Sequence, residues 1–216
     1  MDCIRYKSDY LKVSEWNFLL AGLGVTDWYG LDGGQSVPES DPAAVHRMLA
    51  GLYRKEIVDW DGGQVFVKPP FDIIFASLLI CRKCITIRAE KRETPVRCCY
   101  IGTEDVVLTE KSRREADALC VFSLPKEAFL AFALEQADMP EGIFEGDETD
   151  TGDGKEILAF TLKNCRNGQT EDELAVEEAG LQTYLIKGVK KPERMVYRRQ
   201  TLGQYLREWI YEEESK

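Results

Sequence analysis

The spacing of apolar residues divides the chain into alternating helical and strand-like stretches. Trp16, Leu19, Leu20 and Leu23 recur at helical intervals, with Ser14 as the expected N-cap and Gly24 as the stop. Asp41-Pro42 opens a second predicted helix, because a proline in the first turn gives up an N–H that has no helical partner anyway. Val45, Leu49 and Leu52 form its apolar stripe. Ile57 to Val67 then holds two short apolar runs around Asp61-Gly62-Gly63, the pattern of a β-hairpin. Pro69-Pro70 begins a third helix, through Leu79, whose inner face is Phe71, Ile74, Phe75 and Leu78.

Strands follow. Cys84–Glu90 alternates, Val96–Ile101 answers it, and Val106–Leu108 follows the Gly102–Asp105 turn, whereas Leu119–Leu124 reads as a more buried strand, apolar at nearly every position. Pro125 starts a helix carrying Phe129, Phe132, Ala133 and Gln136 on one face. Asp138 to Gly154, rich in Gly, Asp and Thr, is expected to be a mobile loop. Ile157–Leu162, Leu181–Ile186 and Met195–Arg199 are the last predicted strands, and Thr201 is the expected cap of a closing helix with Leu202, Tyr205, Leu206, Trp209 and Ile210. The succession predicts an α+β fold of antiparallel sheets packed with helices. A single α+β domain over 1–216 is expected, with a winged-helix-like segment near the N-terminus and room for two quasi-similar halves, 1–115 and 116–216, within it.

Composition narrows the function. The 216 residues are 44% hydrophobic and 31% charged, as in ordinary globular chains. No run approaches the roughly 18 to 20 apolar residues that cross a bilayer, and the N-terminus lacks the basic-then-apolar order of a signal peptide. A cytoplasmic protein without membrane insertion is therefore expected. The formal net charge of -10 argues against a nucleic-acid partner, since phosphate neutralisation supplies most of that affinity. Asp138 to Glu156 concentrates eight acidic residues against Lys155 alone.

Candidate chemistry is sparse. His46, the single histidine, has no Ser or Cys in a nucleophile-elbow pattern to serve, and it reads as structural. No phosphate loop or dinucleotide fingerprint is present, and Gly22-Leu23-Gly24 ends a helix. Cys81, Cys84, Cys98 and Cys99 are the candidates for zinc. Adjacent strand residues point to opposite faces, so Cys98 and Cys99 cannot both face one ion without a bulge. The seven cysteines instead read as thiols packed as small hydrophobes. Asp147 to Gly154 offers oxygen ligands, but Leu158 and Phe160 stand where an EF-hand would place its closing Glu. No catalytic residue, metal or cofactor is expected. Ile143 and Phe144, beside Glu145 and ringed by acids, are the candidate partner-binding residues.

The order of segments resembles a known family. Ser14 to Gly24, the helix ending at Leu49-Ala50-Gly51-Leu52-Tyr53-Arg54-Lys55-Glu56-Ile57-Val58, Asp61-Gly62-Gly63, the helix Phe71 to Leu79, and Leu124-Pro125-Lys126-Glu127-Ala128-Phe129 are similar to the EspG family of ESX (type VII) secretion-associated chaperones. Arg199 to Leu206 resembles that family's closing segment. The resemblance implies a non-enzymatic cytosolic adaptor or chaperone that holds a secreted helical-hairpin protein soluble. Two other classes remain open: a winged-helix transcriptional regulator, and an acidic immunity-type protein that neutralises a basic toxin domain. The charge balance separates the regulator from the other two. The purified chain is expected to give no sequence-specific, sub-micromolar shift of duplex DNA at physiological salt, and such a shift would promote the regulator.

Overall fold

The computed structural model describes residues 6–24, 41–89, 96–112, 115, 117–142 and 154–211. Among them are eleven strands and five helices. The order is β1 (Tyr6–Lys12), α1 (Val13–Gly22), α2 (Pro42–Arg54), β2 (Val58–Asp61), β3 (Gln64–Val67), α3 (Phe71–Ile80), β4 (Lys83–Ala89), β5 (Arg97–Ile101), β6 (Asp105–Lys111), β7 (Ala118–Pro125), α4 (Lys126–Gln136), β8 (Lys155–Asn164), β9 (Thr170–Ala179), β10 (Gln182–Lys187), β11 (Glu193–Val196) and α5 (Arg199–Tyr211). The fold is α+β, as the sequence predicts.

Nine strands form one sheet in the order β1-β7-β6-β5-β4-β8-β9-β10-β11, every pair antiparallel. The ladders β1–β7, β6–β7 and β4–β8 join strands of residues 1–115 to strands of the rest of the chain. The remaining pair, β2–β3, is a separate hairpin.

Strand alternation assigns side chains to two cores. On one face, Ile85, Ile87, Cys99, Val106, Leu108, Leu158, Phe160, Leu174, Val176 and Leu185 pack beneath α4 and α5. On the other face, Cys84, Cys98, Tyr100, Val107, Leu119 and Val121 pack beneath α1, α2 and α3. The predicted inner face of α3 holds: Phe71, Ile74, Phe75 and Leu78 are all buried. Helix α2 starts where expected, with Asp41 Oδ1 accepting from Ala43 N–H at 3.0 Å.

Three helix and strand ends differ from the sequence reading. Strand β1 runs straight into α1, so Ser14 lies in the first turn and not at the cap. The carboxylate of Glu15 does the capping work from inside the helix, accepting from Lys12 N–H at 2.8 Å. Helix α5 begins at Arg199, ahead of Thr201, and β11 stops at Val196. Gly24 closes the α1 turn as expected, with φ at +81°.

The helix-covered faces carry one charged clamp each. Beneath α1 and α2, Lys55 Nζ lies 2.8 and 2.6 Å from the two oxygens of Glu15, a residue only 7% exposed. The pair joins the start of α1 to the end of α2. On the opposite face Arg97 reaches Glu110 at 2.5 Å and Gln136 at 3.0 Å, and its guanidinium lies 5.3 Å from the centre of the Phe132 ring. That side chain fastens α4 to the sheet.

Breaking a largely buried pair leaves one charge without compensation. Glu15→Ala also strips the Lys12 N–H of its acceptor. The variant is expected to lose about 3 kcal/mol of unfolding free energy, measured by urea denaturation with an unchanged slope. A loss below about 0.5 kcal/mol would mean that the pair behaves like an exposed one and does not seat α1 on α2.

Candidate functional site

The β2–β3 hairpin stands outside the main sheet, and its geometry leaves an apolar surface exposed. Gly62 and Gly63 have φ of +57° and +87°, the left-handed pair that a two-residue type I′ turn requires. The register pairs Val58 with Val67 and Trp60 with Val65. Residues two apart share a face of a strand, so both rungs present their side chains to the same side. The inner rung is seated: Val58 is buried and Val67 packs partly against the core. The outer rung overshoots that core, leaving Trp60 55% and Val65 40% exposed.

Helix α2 supplies the facing wall. His46, Leu49, Ala50 and Tyr53 are spaced i, i+3, i+4 and i+7 and so lie along one helical face. With Arg54, Val58, Asp59, Trp60 and Val65 they line an open groove of about 340 Å³. Tyr53 is 59% exposed at one side, whereas the exposed Phe66 alternates to the other face of the hairpin. Trp and Tyr are the side chains that most often anchor protein interfaces, because they bring large contact area with few rotatable bonds.

The polar groups near the groove are largely engaged with one another. Arg47 lies 3.7 Å from Asp41, Lys68 lies 4.0 Å from Asp59, and Lys55 is held by Glu15. Arg54 Nε donates to the carbonyl of Ala50 at 3.2 Å. The lining itself contains no Ser, Thr, Cys or Lys. It offers apolar contact with a few polar groups, which suits recognition of another surface.

The residues singled out in the sequence are distributed as follows. His46 is exposed and lines the groove. Cys98 and Cys99 face opposite cores, as strand alternation requires. Cys81, Cys84 and Cys98 share one core with Cys165, which comes from the end of β8. Among the described residues no three or more His, Cys, Asp or Glu side chains are arranged to hold a metal ion. Ile143, Phe144 and Glu145, with the acidic run Asp147 to Asp153, lie outside the described residues. The chain reaches that segment from Gly142, whose N–H donates to Tyr197 O at 3.1 Å. A Cβ on Gly142 would stand 2.9 Å from the carbonyl oxygen of Thr183, so the approach to the sheet there depends on glycine. No helix of the described residues is long and apolar enough to cross a membrane.

The sequence reading identified the hairpin and the α2 stripe but not the groove between them. The available signal was Trp60, an aromatic residue next to the Gly-Gly turn of a hairpin too short to bury its outer rung. Comparison with protein-family models and with curated proteins finds no match to the chain.

If the outer rung is a contact surface and not part of the core, its loss is cheap for the fold. Trp60→Ala is expected to change stability by less than about 1 kcal/mol, within the range of surface substitutions away from special features, measured by thermal unfolding. A loss of about 3 kcal/mol or more, the range for a buried aromatic, would place Trp60 in the core.

Proposed function

We propose that the chain is a non-enzymatic, protein-binding adaptor or chaperone that receives an amphipathic helix of a secreted helical protein in the groove between α2 and the β2–β3 hairpin. The observation that carries this reading is the exposed Tyr53, Trp60 and Val65 around an apolar trough. The volume of about 340 Å³ accommodates a few side chains from one helix face, the mode in which an amphipathic helix inserts anchors at i, i+3, i+4 and i+7. The similarity of segment order to the EspG family supports the choice of a secreted helical hairpin as cargo. The regulator reading is weakened by the bases of the α2–hairpin region, since Arg47, Lys55 and Lys68 already have acidic partners. The immunity-type reading keeps one supporting feature: β9 carries Glu171, Asp172, Glu173, Glu177 and Glu178.

The test is co-expression of the chain with helical-hairpin proteins encoded beside it, followed by measurement of binding and of cargo solubility. Tyr53→Ala combined with Trp60→Ala is expected to weaken the complex at least tenfold while leaving the melting temperature of the free chain nearly unchanged. Ile143→Ser with Phe144→Ser, in a parallel experiment, reports whether the 143–145 segment adds to the same interface. Unchanged affinity in the groove variant would remove the groove from the function. Binding of a basic protein domain, abolished by neutralising β9, would favour the immunity reading.

A further inference from the structure

Four thiols from distant parts of the chain meet at the rim of the core under α3. Cys81 caps the C-terminus of α3, Cys84 and Cys98 lie on β4 and β5, and Cys165 follows β8. All four are buried. Cys81 and Cys165, 84 positions apart in sequence, place their Sγ atoms 3.3 Å from each other. Backbone bonding fixes that approach, since Cys165 N–H donates to the carbonyl of Arg82 at 2.9 Å. A disulfide needs an S–S separation of about 2.05 Å, so closing the gap requires a displacement of about 1.3 Å. Both cysteines sit in connecting segments and not mid-strand. Cys165 opens the Asn164–Gln169 turn, whose next residues Arg166 and Asn167 are exposed, and Cys81 is followed by the exposed Arg82. Segments of this kind open locally at lower cost than strands within the sheet.

We propose that Cys81 and Cys165 are a reversible dithiol–disulfide site, oxidised by hydrogen peroxide or a similarly small peroxide, that staples the α3–β4 junction to the β8–β9 turn. The two sulfurs have unequal roles. Close contact with the Cys81 and Cys84 thiols and the adjacent Arg166 favours the thiolate of Cys165, whereas the contact with Cys165 and burial keep the proton on Cys81, whose Sγ lies 3.0 Å from the carbonyl oxygen of Lys83. The Cys165 thiolate attacks one peroxide oxygen and breaks the O–O bond. Sulfenic acid forms on Cys165, and the departing hydroxide takes up a proton as water. Cys81 then loses its proton and attacks the sulfenic sulfur. The S–O bond breaks, a second water leaves, and the disulfide remains. In sum, two thiols are oxidised by two electrons and one peroxide is reduced to two waters. A water-sized neutral oxidant suits a site this buried, and a thiol reductant restores the starting state.

The test uses the whole folded chain. Reduced protein is treated with hydrogen peroxide, remaining thiols are alkylated under denaturing conditions, and cross-linked peptides are mapped by mass spectrometry. The expected product is a Cys81–Cys165 linkage as the principal cross-link, reversed by dithiothreitol. The oxidised form should melt roughly 5 °C or more above the reduced form, as a clip between distant positions predicts. Cys120→Ser removes a partly exposed thiol from outside the cluster and should leave the linkage intact. Cys165→Ser should abolish it, and the wild-type mapping stands even where that variant folds poorly. Principal linkage of Cys165 to Cys84 or Cys98, oxidation confined to Cys120, or about one tightly held zinc per purified chain would each overturn the proposal.

Discussion

The fold depends on one sheet having to bury two faces at once. Strands β4 to β7 lie between α1–α3 on one side and α4–α5 on the other, so side chains of both parities must be apolar or tightly satisfied. Val106, Val107 and Leu108 show the outcome, with three consecutive residues almost wholly buried and successive ones assigned to opposite cores. The same constraint explains the cysteines. Cys84, Cys98 and Cys99 fill strand positions where a small, weakly polar side chain fits under a helix and a larger polar one would be buried at a cost of a few kcal/mol. It also explains why the connections are long. The chain crosses from β1 at one edge to β4 in the middle by way of α1, α2 and α3, and from β7 to β8 by way of α4, laying a helical layer on each face as it goes.

Apolar matching alone would let those layers slide, since hydrophobic burial has no direction. The charged clamps add direction. Glu15 can meet Lys55 only when the start of α1 lies against the end of α2, and Arg97 can meet Glu110, Gln136 and the Phe132 ring only when α4 crosses β5 in one register. Ion pairs of this kind contribute little net stability against an apolar replacement. Their value here is to make competing arrangements of the helices expensive. Tyr197 does similar work without charge: its hydroxyl donates to the carbonyl of Ala137 at 2.7 Å and ties the end of α4 to the chain entering α5.

What could be read from the sequence follows from this division of labour. Segments whose pattern is set by two buried faces, β7 above all, or by one strong stripe, α3 and α4, were legible. So was the hairpin, because Gly62-Gly63 encodes its turn directly. Strands β1 and β9 were not. Tyr6–Lys12 is a polar strand at the sheet edge, and Thr170–Ala179 carries five carboxylates, so neither shows a clean apolar period. They are strands because β7 in one case, and β8 and β10 in the other, offer them hydrogen-bonding partners. Ser14 misled for a related reason. Side-chain capping by serine is a local preference, and the incoming β1 together with Glu15 overrides it. The meeting of Cys81 with Cys165 joins the end of α3 to the end of β8, far apart in sequence, and no local pattern encodes it.

The groove marks the place where the two-face rule stops applying. Helix α2 gives the core only one fully buried side chain, Leu52, with Val45, Met48 and Leu49 half-buried, although its pattern is clearly amphipathic. The hairpin likewise commits its inner rung and leaves its outer rung outside. Two elements that each spend half of an apolar face on the core leave the other halves opposite one another. The trough between them is lined by Leu49, Ala50, Trp60 and Val65, whose apolar surface offers solvent no hydrogen bond. The proposed insertion of a helix face there leaves the sheet untouched, because the ladder β2–β3 and α2 are both seated on the core through Val58, Val67 and Leu52. Anchoring of both elements on the core and apolar halves left facing each other are the two features on which the proposed docking rests.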